Sequence, residues 1–343
     1  MEHTLKLSIV VPTYNVEEYI GNCLESLMNQ DIPAEDYEVI VINDGATDNS
    51  LQIAEAMADK HANIRVISQE NQGLSAARNT GFEHATGKYL YFIDSDDYIT
   101  FNSLGYVLKT LEEHDLDVLG IQLIETERLD IYESANLNQS PAEDLEVMDG
   151  IRFIAEHKYY NNAWWYFAKR SFLDQMGYRF PVGRFVEDAN YTAKVFVEAK
   201  RIAWSKLDFY RYVQRATSIM HKKDPSHYEK MIRDYGANVA EFEEQIQQLE
   251  TREHPQLTAC IKRLRFRQES FIFFLVMRII RSQLPVKRIK ESLKHFGQTG
   301  NYPLRVESGF DYQQKKFAPF VFLVNNPRYL GMATRVFRLG RRS

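Results

Sequence analysis

Three aspartates lie within four residues of sequence, directly after a run of bulky apolar residues. Asp94, Asp96 and Asp97 follow the segment 89–93 (YLYFI), whose composition predicts a buried strand. Like charges so close together repel one another unless a cation neutralises them, and hard divalent cations prefer carboxylate oxygens. The pattern predicts that Asp94 and Asp96 hold a divalent metal ion and the phosphates that it neutralises. The alternative is an acidic turn whose aspartates cap the following helix.

Two more polar clusters stand at the ends of apolar runs earlier in the chain. The run 7–11 (LSIVV) leads into 12–15 (PTYN), and the run 37–42 (YEVIVI) leads into 43–45 (NDG). Parallel strands present their carboxyl ends along one edge of a sheet, which is where open α/β sheets bind ligands. We therefore expect the three polar clusters to converge on one crevice.

The composition is that of a globular protein with ample material for a hydrophobic core. Of the 343 residues, 44% are apolar and 26% are charged. The two cysteines, Cys23 and Cys260, lack metal-ligand spacing, and we interpret them as thiols kept reduced in a reducing compartment. The first apolar run is stopped by Pro12, so it predicts a strand rather than a signal peptide, and we expect a cytoplasmic protein.

The net charge of −5 conceals two regions of opposite sign. Residues 1–120 carry 21 acidic and 6 basic side chains, whereas residues 261–343 carry 4 acidic and 18 basic ones. This asymmetry indicates an anionic partner for the C-terminal part, with solvated helix faces as the alternative.

Strand and helix patterns alternate as far as about residue 213. This alternation predicts βαβ units and an α/β fold with a Rossmann-like, mostly parallel sheet and flanking helices. Long helices are predicted afterwards at 228–250, 256–282 and 286–296, with a short strand at 320–324. We predict an α/β domain at 1–221 and a helical C-terminal domain at 222–343.

Four segments in order resemble the motifs of the family 2 glycosyltransferases, which have the GT-A fold. They are 10–15 (VVPTYN), 41–48 (VINDGATD), 71–81 (NQGLSAARNTG) and 93–97 (IDSDD). A fifth, 180–188 (FPVGRFVED), resembles the segment that carries the catalytic base of that family. The resemblance covers about residues 5–221 and leaves the last 120 residues or so unassigned.

The resemblance implies an inverting transfer of a hexose or N-acetylhexosamine from a nucleotide diphosphate sugar to an acceptor hydroxyl. In the family, Mn²⁺ or Mg²⁺ bridges the two phosphates. The match places Asp96 on the metal, and Asp94 on the ribose or on the waters of the metal. Asp44 takes the place of the base-recognising carboxylate, which can accept the ring N–H of uracil and favours a UDP-sugar, although guanine and thymidine nucleotides present a similar donor. The resemblance assigns the remaining contacts with the nucleotide sugar to Pro12, Thr13, Tyr14, Arg78 and Ser95.

Asp188 is the predicted general base. Inversion requires one carboxylate to accept the proton of the attacking hydroxyl, and the family places it in this Glu-Asp pair. Glu187 is the rival, and a helix cap is the alternative for either acid. Two other assignments also have structural alternatives: Asp44 could close an Asx turn, and Arg78 could lie on a helix surface.

Three further predictions concern aromatic and basic residues. Trp164 and Trp165 are candidates for stacking on a sugar, with packing in the core as the alternative. His221 is a candidate metal ligand, with a structural role as the alternative, and Arg215 is a candidate contact near the diphosphate.

The basic amphipathic helices of the C-terminal part suit an anionic membrane surface at the inner face of the membrane. The saccharide or lipid-linked acceptors of this family, used in cell-surface polysaccharide synthesis, suit such a location. A helical homo-oligomer interface is equally compatible with the pattern. No nucleic-acid partner is expected, because no motif for one is present. The alternative to a transferase is a non-catalytic GT-A scaffold subunit of a polysaccharide-assembly complex.

Overall fold

The structure, a computed structural model, describes residues 5–137, 145–214, 225–298, 300–305 and 317–339. The chain divides into two compact units, 1–216 and 217–343.

The first unit consists of strands and helices that alternate along the chain. Its strands are β1 (Leu7–Thr13), β2 (Tyr37–Asp44), β3 (Ile64–Gln69), β4 (Tyr89–Phe92), β5 (Tyr98–Ile99), β6 (Val118–Thr126), β7 (Tyr166–Lys169) and β8 (Ile202–Val213). Its helices are α1 (Ile20–Met28), α2 (Ser50–Ala58), α3 (Leu74–His84), α4 (Leu104–Glu113), α5 (Gly150–Glu156), α6 (Arg170–Met176) and α7 (Glu187–Glu198).

The described strands form one eight-stranded sheet in the order β3-β2-β1-β4-β7-β6-β8-β5. Strands β3, β2, β1 and β4 are parallel, as the alternation of strands and helices predicts. Beyond β4 the sheet is mixed. Strand β7 is antiparallel to β4 and β6, β8 is parallel to β6, and β5 is antiparallel to β8.

The central strands are buried on both faces, which explains their continuous apolar sequences. Every residue of β1 is buried. Helix α3 approaches this strand most closely at Gly81, where an added Cβ atom would lie 2.2 Å from Val10 Cγ1. A close-packed interior leaves no room for that atom, so the small residues of α3 set its distance from the sheet.

The carboxyl ends of β1, β2 and β4 lie side by side, because Thr13 pairs with Asn43 and Val10 pairs with Phe92. The chain leaves β4 through the acidic turn, 93–97, and enters β5, where Tyr98 pairs with Arg211 of β8. Sheet pairing therefore fixes both ends of the acidic turn.

The regular secondary structure of the second unit, in its described residues, is all helical. It comprises α8 (Pro225–Glu250), α9 (Leu257–Arg281), α10 (Val286–Gln298), α11 (Ala318–Asn325) and α12 (Leu330–Leu339). The predicted strand at 320–324 is wrong, because these residues lie in α11. A short continuous apolar run fits a strand and a packed helix equally well, so its pattern could not separate the two. None of the helices in the described ranges is both long enough and apolar enough to cross a membrane.

Candidate active site

The acidic turn holds its three aspartates close together. One carboxylate oxygen from each of Asp94, Asp96 and Asp97 lies within 4.8 Å of the others. Asp97 is buried, whereas Asp94 and Asp96 are half-buried. The two outer carboxylates therefore form the accessible side of the cluster, and Asp97 forms its base.

Asp97 joins the acidic turn to the end of β8. The hydroxyl of Tyr210 donates a hydrogen bond to Asp97 Oδ2 (2.6 Å), and the amide of Val213 donates one to Asp97 Oδ1 (2.7 Å). Burial, followed by the charges of Asp96 and Asp94, raises the pKa of Asp97 well above its usual value. These two hydrogen bonds fix the position of the Asp97 carboxyl at the end of the acidic turn.

Arg78 of α3 links the acidic turn to the start of α7. Its Nη2 lies 2.8 Å from Asp94 Oδ1, and its Nη1 lies 3.1 Å from Glu187 Oε1. The side chain of Arg78 is only 2% exposed, so the alternative of a surface residue is wrong. Burial opposes the charge, but Asp94, Glu187 and Asp188 outweigh it and raise the pKa of Arg78. The guanidinium is therefore a permanent positive charge between two acidic segments.

Glu187 and Asp188 occupy the first turn of α7. Val186, which precedes them, adopts a left-handed conformation with φ of 58°. This conformation is strained for a β-branched residue, and such strain occurs mostly at functional sites. Helix α7 has no side-chain N-cap hydrogen bond from Val186, and Glu187 instead pairs with Arg78.

Burial raises the pKa of both acids of α7. Burial, followed by the charge of Glu187, raises the pKa of Asp188 to about 8, against the opposing effect of Arg78. Burial also raises the pKa of Glu187, although Arg78 lowers it. Arg78 is bonded to Glu187, so the Glu187 carboxyl is engaged in an ion pair, and Asp188 is the better placed to take up a proton near neutral pH.

Asp44, at the end of β2, organises the loop that precedes α3. Its Oδ1 accepts hydrogen bonds from Gln69 Nε2 (2.8 Å) and from the amide of Gln72 (2.9 Å), and its Oδ2 accepts one from the amide of Gly73 (2.8 Å). The Asx turn at this place is closed by Asn43, whose Oδ1 accepts from the amide of Ala46. Recognition of the base by Asp44 stays a prediction, and Asp44 also positions the helix that carries Arg78.

The predicted nucleotide contacts at the ends of β1 and β4 differ in their exposure. Tyr14 is 45% exposed, so its ring is available for stacking on a base. Pro12, Thr13 and Ser95 are buried, and the hydroxyl of Thr13 donates a hydrogen bond to the carbonyl oxygen of Val11. Contact of these three residues with a nucleotide stays a prediction.

The remaining candidates are two tryptophans and two residues after β8. Trp164 and Trp165 are 3% and 2% exposed, so the alternative of core packing describes both indole rings. Trp164 stacks on Tyr210 with ring centroids 4.5 Å apart. His221 and Arg215 lie outside the described residues, so their roles stay predictions.

Comparison with known proteins identifies the family of the chain. The model of glycosyl transferase family 2 matches residues 8–162. The uncharacterized glycosyltransferase EpsJ of Bacillus subtilis (strain 168) is 32% identical over 239 residues, which cover 68% of this chain and 69% of EpsJ. The chain belongs to glycosyl transferase family 2. The predicted family is thus confirmed.

Solved structures confirm the GT-A fold of this family 2 glycosyltransferase. The crystal structure of S. aureus TarS 1-349 in complex with UDP-GlcNAc has a TM-score of 0.63 and 22% identity, with 98% of this chain and 92% of the other covered. The mannosyltransferase PcManGT from Pyrobaculum calidifontis, in complex with GDP-Man and Mn²⁺, has a TM-score of 0.54 and 17% identity. Full-length TarS of Staphylococcus aureus (strain Mu50) is named a poly(ribitol-phosphate) beta-N-acetylglucosaminyltransferase, and the chain matches 34% of its length with 33% identity.

The acidic turn of this family 2 glycosyltransferase has the donor set that a hard divalent cation requires. Its oxygens are carboxylates, and three of them lie within 4.8 Å of one another. Because Asp97 is buried whereas Asp94 and Asp96 are half-buried, Asp94 and Asp96 are the acids that would hold the ion. The residues present therefore fit a divalent cation.

Two relationships at the site could not be predicted from the sequence. The sequence indicates Glu187 only as a rival base, whereas in the structure it is the partner of Arg78, 109 residues away in sequence. The sequence indicates Asp97 only as part of the acidic cluster, whereas in the structure it anchors the end of β8. Both relationships depend on tertiary packing, and no local sequence pattern signals them.

Proposed function

We propose that this family 2 glycosyltransferase catalyses an inverting, divalent-cation-dependent transfer from a nucleotide diphosphate sugar to a hydroxyl of a saccharide acceptor. The observation that carries the proposal is the double ion pair of Arg78 with Asp94 and Glu187. One arginine thereby joins Asp94, a proposed metal ligand, to Glu187, the neighbour of the proposed base Asp188, and a one-step displacement requires these groups close together.

Asp188 is the proposed general base. Its raised pKa matches a group that takes a proton near neutral pH. The attacking acceptor hydroxyl loses its proton to Asp188 as its oxygen bonds to the anomeric carbon. The bond from that carbon to the nucleotide diphosphate breaks on the opposite face, so the configuration inverts. Glu187 remains paired with Arg78 and keeps Asp188 oriented.

Asp96 and Asp94 are the proposed ligands of the cation, Mn²⁺ or Mg²⁺. A divalent cation bound there supplies a Lewis acid that neutralises the charge of the departing diphosphate. Support comes from the carboxylate cluster and from the Mn²⁺ in the PcManGT complex. His221 stays a proposed further ligand.

A UDP-sugar is the favoured donor. The TarS crystal structure named above contains UDP-GlcNAc. In this chain, the exposed ring of Tyr14 can stack on a base, and the strand-end carboxylate of Asp44 is proposed to accept the ring N–H of uracil. The transferred sugar is proposed to be a hexose or an N-acetylhexosamine.

The helical unit is proposed to hold the enzyme at the cytoplasmic face of the membrane, where lipid-linked saccharides are extended. Phe322, Met332 and Val336 of α11 and α12 are more than half exposed, and Arg328 and Arg335 lie beside them in sequence. Apolar side chains with basic neighbours suit an anionic lipid surface. Assembly of a homo-oligomer through the same helices is the competing role.

Calorimetric titration with UDP and Mn²⁺, followed by turnover of a panel of nucleotide sugars, tests the proposal. We expect UDP to bind only when the cation is present, and at least one donor to be consumed. The variants Asp96→Asn and Asp188→Asn should lose turnover while remaining folded. A folded protein that binds no nucleotide and consumes no donor would indicate the scaffold subunit instead.

A further inference from the structure

Two exposed tyrosines flank the buried Trp164. The ring of Tyr212 stacks on Trp164 with a centroid distance of 5.5 Å and an interplanar angle of 28°. The ring of Tyr160 lies 6.4 Å from Trp164 at an angle of 33°. Tyr212 is 37% exposed and Tyr160 is 51% exposed, whereas Trp164 is 3% exposed. The surface here is therefore formed by the two tyrosine rings, with the indole beneath them.

This aromatic group adjoins the acidic turn. Trp164 also stacks on Tyr210, whose hydroxyl donates a hydrogen bond to Asp97. Burial, followed by the charges of Asp97, Asp94 and Asp96, raises the pKa of Tyr212, so the tyrosine lies within the field of the cluster. A ligand on the tyrosine rings would lie beside the proposed reaction centre.

We infer that Tyr212 and Tyr160 form an acceptor platform that binds a neutral pyranose ring beside the acidic turn. The inference rests on the proposed transferase function and specifies the acceptor of that site. A pyranose presents a face of C–H groups, which pack against the face of an aromatic ring. Stacking of this kind fixes the plane of the sugar and leaves its hydroxyls free to point toward the base.

The platform disfavours an acyclic acceptor. A ribitol-phosphate chain, the acceptor in the name of TarS, has no ring to stack on Tyr212 or Tyr160. The platform therefore favours a saccharide acceptor over a polyol phosphate.

Saturation-transfer NMR on the full chain, with UDP and Mn²⁺ present to fill the donor site, tests the inference without requiring turnover. The probes are methyl β-D-glucopyranoside, methyl β-D-galactopyranoside, the methyl glycoside of N-acetylglucosamine and ribitol 5-phosphate. We expect the ring C–H protons of at least one pyranoside to receive saturation, and ribitol 5-phosphate to receive none.

Variants then assign the binding to the platform. Tyr212→Ala and Tyr160→Ala should each reduce the pyranoside signal about fivefold, the effect of one lost stacking contact. Tyr212→Phe should keep it, because the ring remains. Trp204→Ala is the matched control, since Trp204 lies on the same strand and is 38% exposed.

The inference is overturned if ribitol 5-phosphate alone receives saturation, or if Trp204→Ala reduces the signal as much as Tyr212→Ala does. Loss of the signal in Tyr212→Phe would also overturn it. The UDP protons in the same samples report on the donor site separately. Absent UDP binding contradicts the proposed function, whereas normal UDP binding without pyranoside binding contradicts the platform alone.

Discussion

Arg78 and Asp94 form an ion pair, 2.8 Å between Nη2 and Oδ1, in which the arginine is almost completely buried. The same guanidinium also forms an ion pair with Glu187. Arg78 of α3 therefore links a carboxylate of the acidic turn to a carboxylate of α7. Removal of the arginine would leave two carboxylates without their counter-charge.

Arg78→Gln should lower the free energy of unfolding by about 3–5 kcal/mol, because it breaks a buried ion pair and leaves its carboxylate partners without a counter-charge. Urea denaturation measures the change. The control is Arg65→Gln, since Arg65 is half-exposed and lies 2.9 Å from Glu38. We expect that exposed pair to contribute about 1 kcal/mol or less. Equal losses in the two variants would contradict the bridging role of Arg78.

The pH dependence of turnover should follow Asp188. A base must be deprotonated to act, and the pKa of Asp188 is raised to about 8. We therefore expect kcat/KM to fall about tenfold for each pH unit below that value and to level off above it. Steady-state rates across pH 6–10 measure the profile. A rate independent of pH across pH 6–8 would argue against this base.

The stability of Asp188→Asn should depend on pH in a defined direction. A carboxyl whose pKa is higher in the folded than in the unfolded state stabilises the protein at low pH, and this stability is lost as the pH rises through the folded-state value. The neutral amide avoids that loss. We expect the variant to have a higher Tm than the wild type at pH 8, with the difference shrinking toward pH 5. Calorimetry at the two pH values checks the sign, and a lower Tm at pH 8 would contradict it.

Asp96→Asn should abolish the dependence on the divalent cation. Loss of one of the two accessible carboxylates removes charge and a ligand, and we expect turnover to drop about 100-fold. Turnover is measured over a range of Mn²⁺ concentrations, after treatment with a chelator. Asp115→Asn is the control, because Asp115 is an exposed acid paired with Lys169. If Asp96→Asn kept full cation-stimulated turnover, the ligand assignment would be wrong.

Vesicle sedimentation tests the proposed role of the helical unit. Phe322→Asp and Val336→Asp should each weaken binding to phosphatidylglycerol vesicles about tenfold, because each removes an exposed apolar contact and adds repulsion. Val182→Asp, in the first unit, changes a residue of similar exposure (56%, against 55% for Val336) and should have no effect. If the wild type does not bind the vesicles and sediments as a dimer in analytical ultracentrifugation, a homo-oligomer interface is the better explanation of the exposed apolar residues.

The sequence by itself determined the parallel half of the sheet and the position of its polar edge. Alternating strands and helices force a parallel sheet, and parallel strands place their carboxyl ends together. The acids of the turn could therefore be predicted as neighbours of Asn43 and Thr13. The order of the motifs also determined the family, which comparison with known proteins confirmed.

Only the tertiary structure decided which charged groups pair and which aromatic rings are exposed. Arg78 of α3 pairs with Glu187 of α7, a contact between residues 109 positions apart in the sequence. Trp164 is buried and Tyr212 is exposed because of how β8 and the segment before β7 pack together. Pairing and burial arise from packing between distant segments. Local sequence patterns indicate only whether a segment is a helix or a strand and which of its residues share a face.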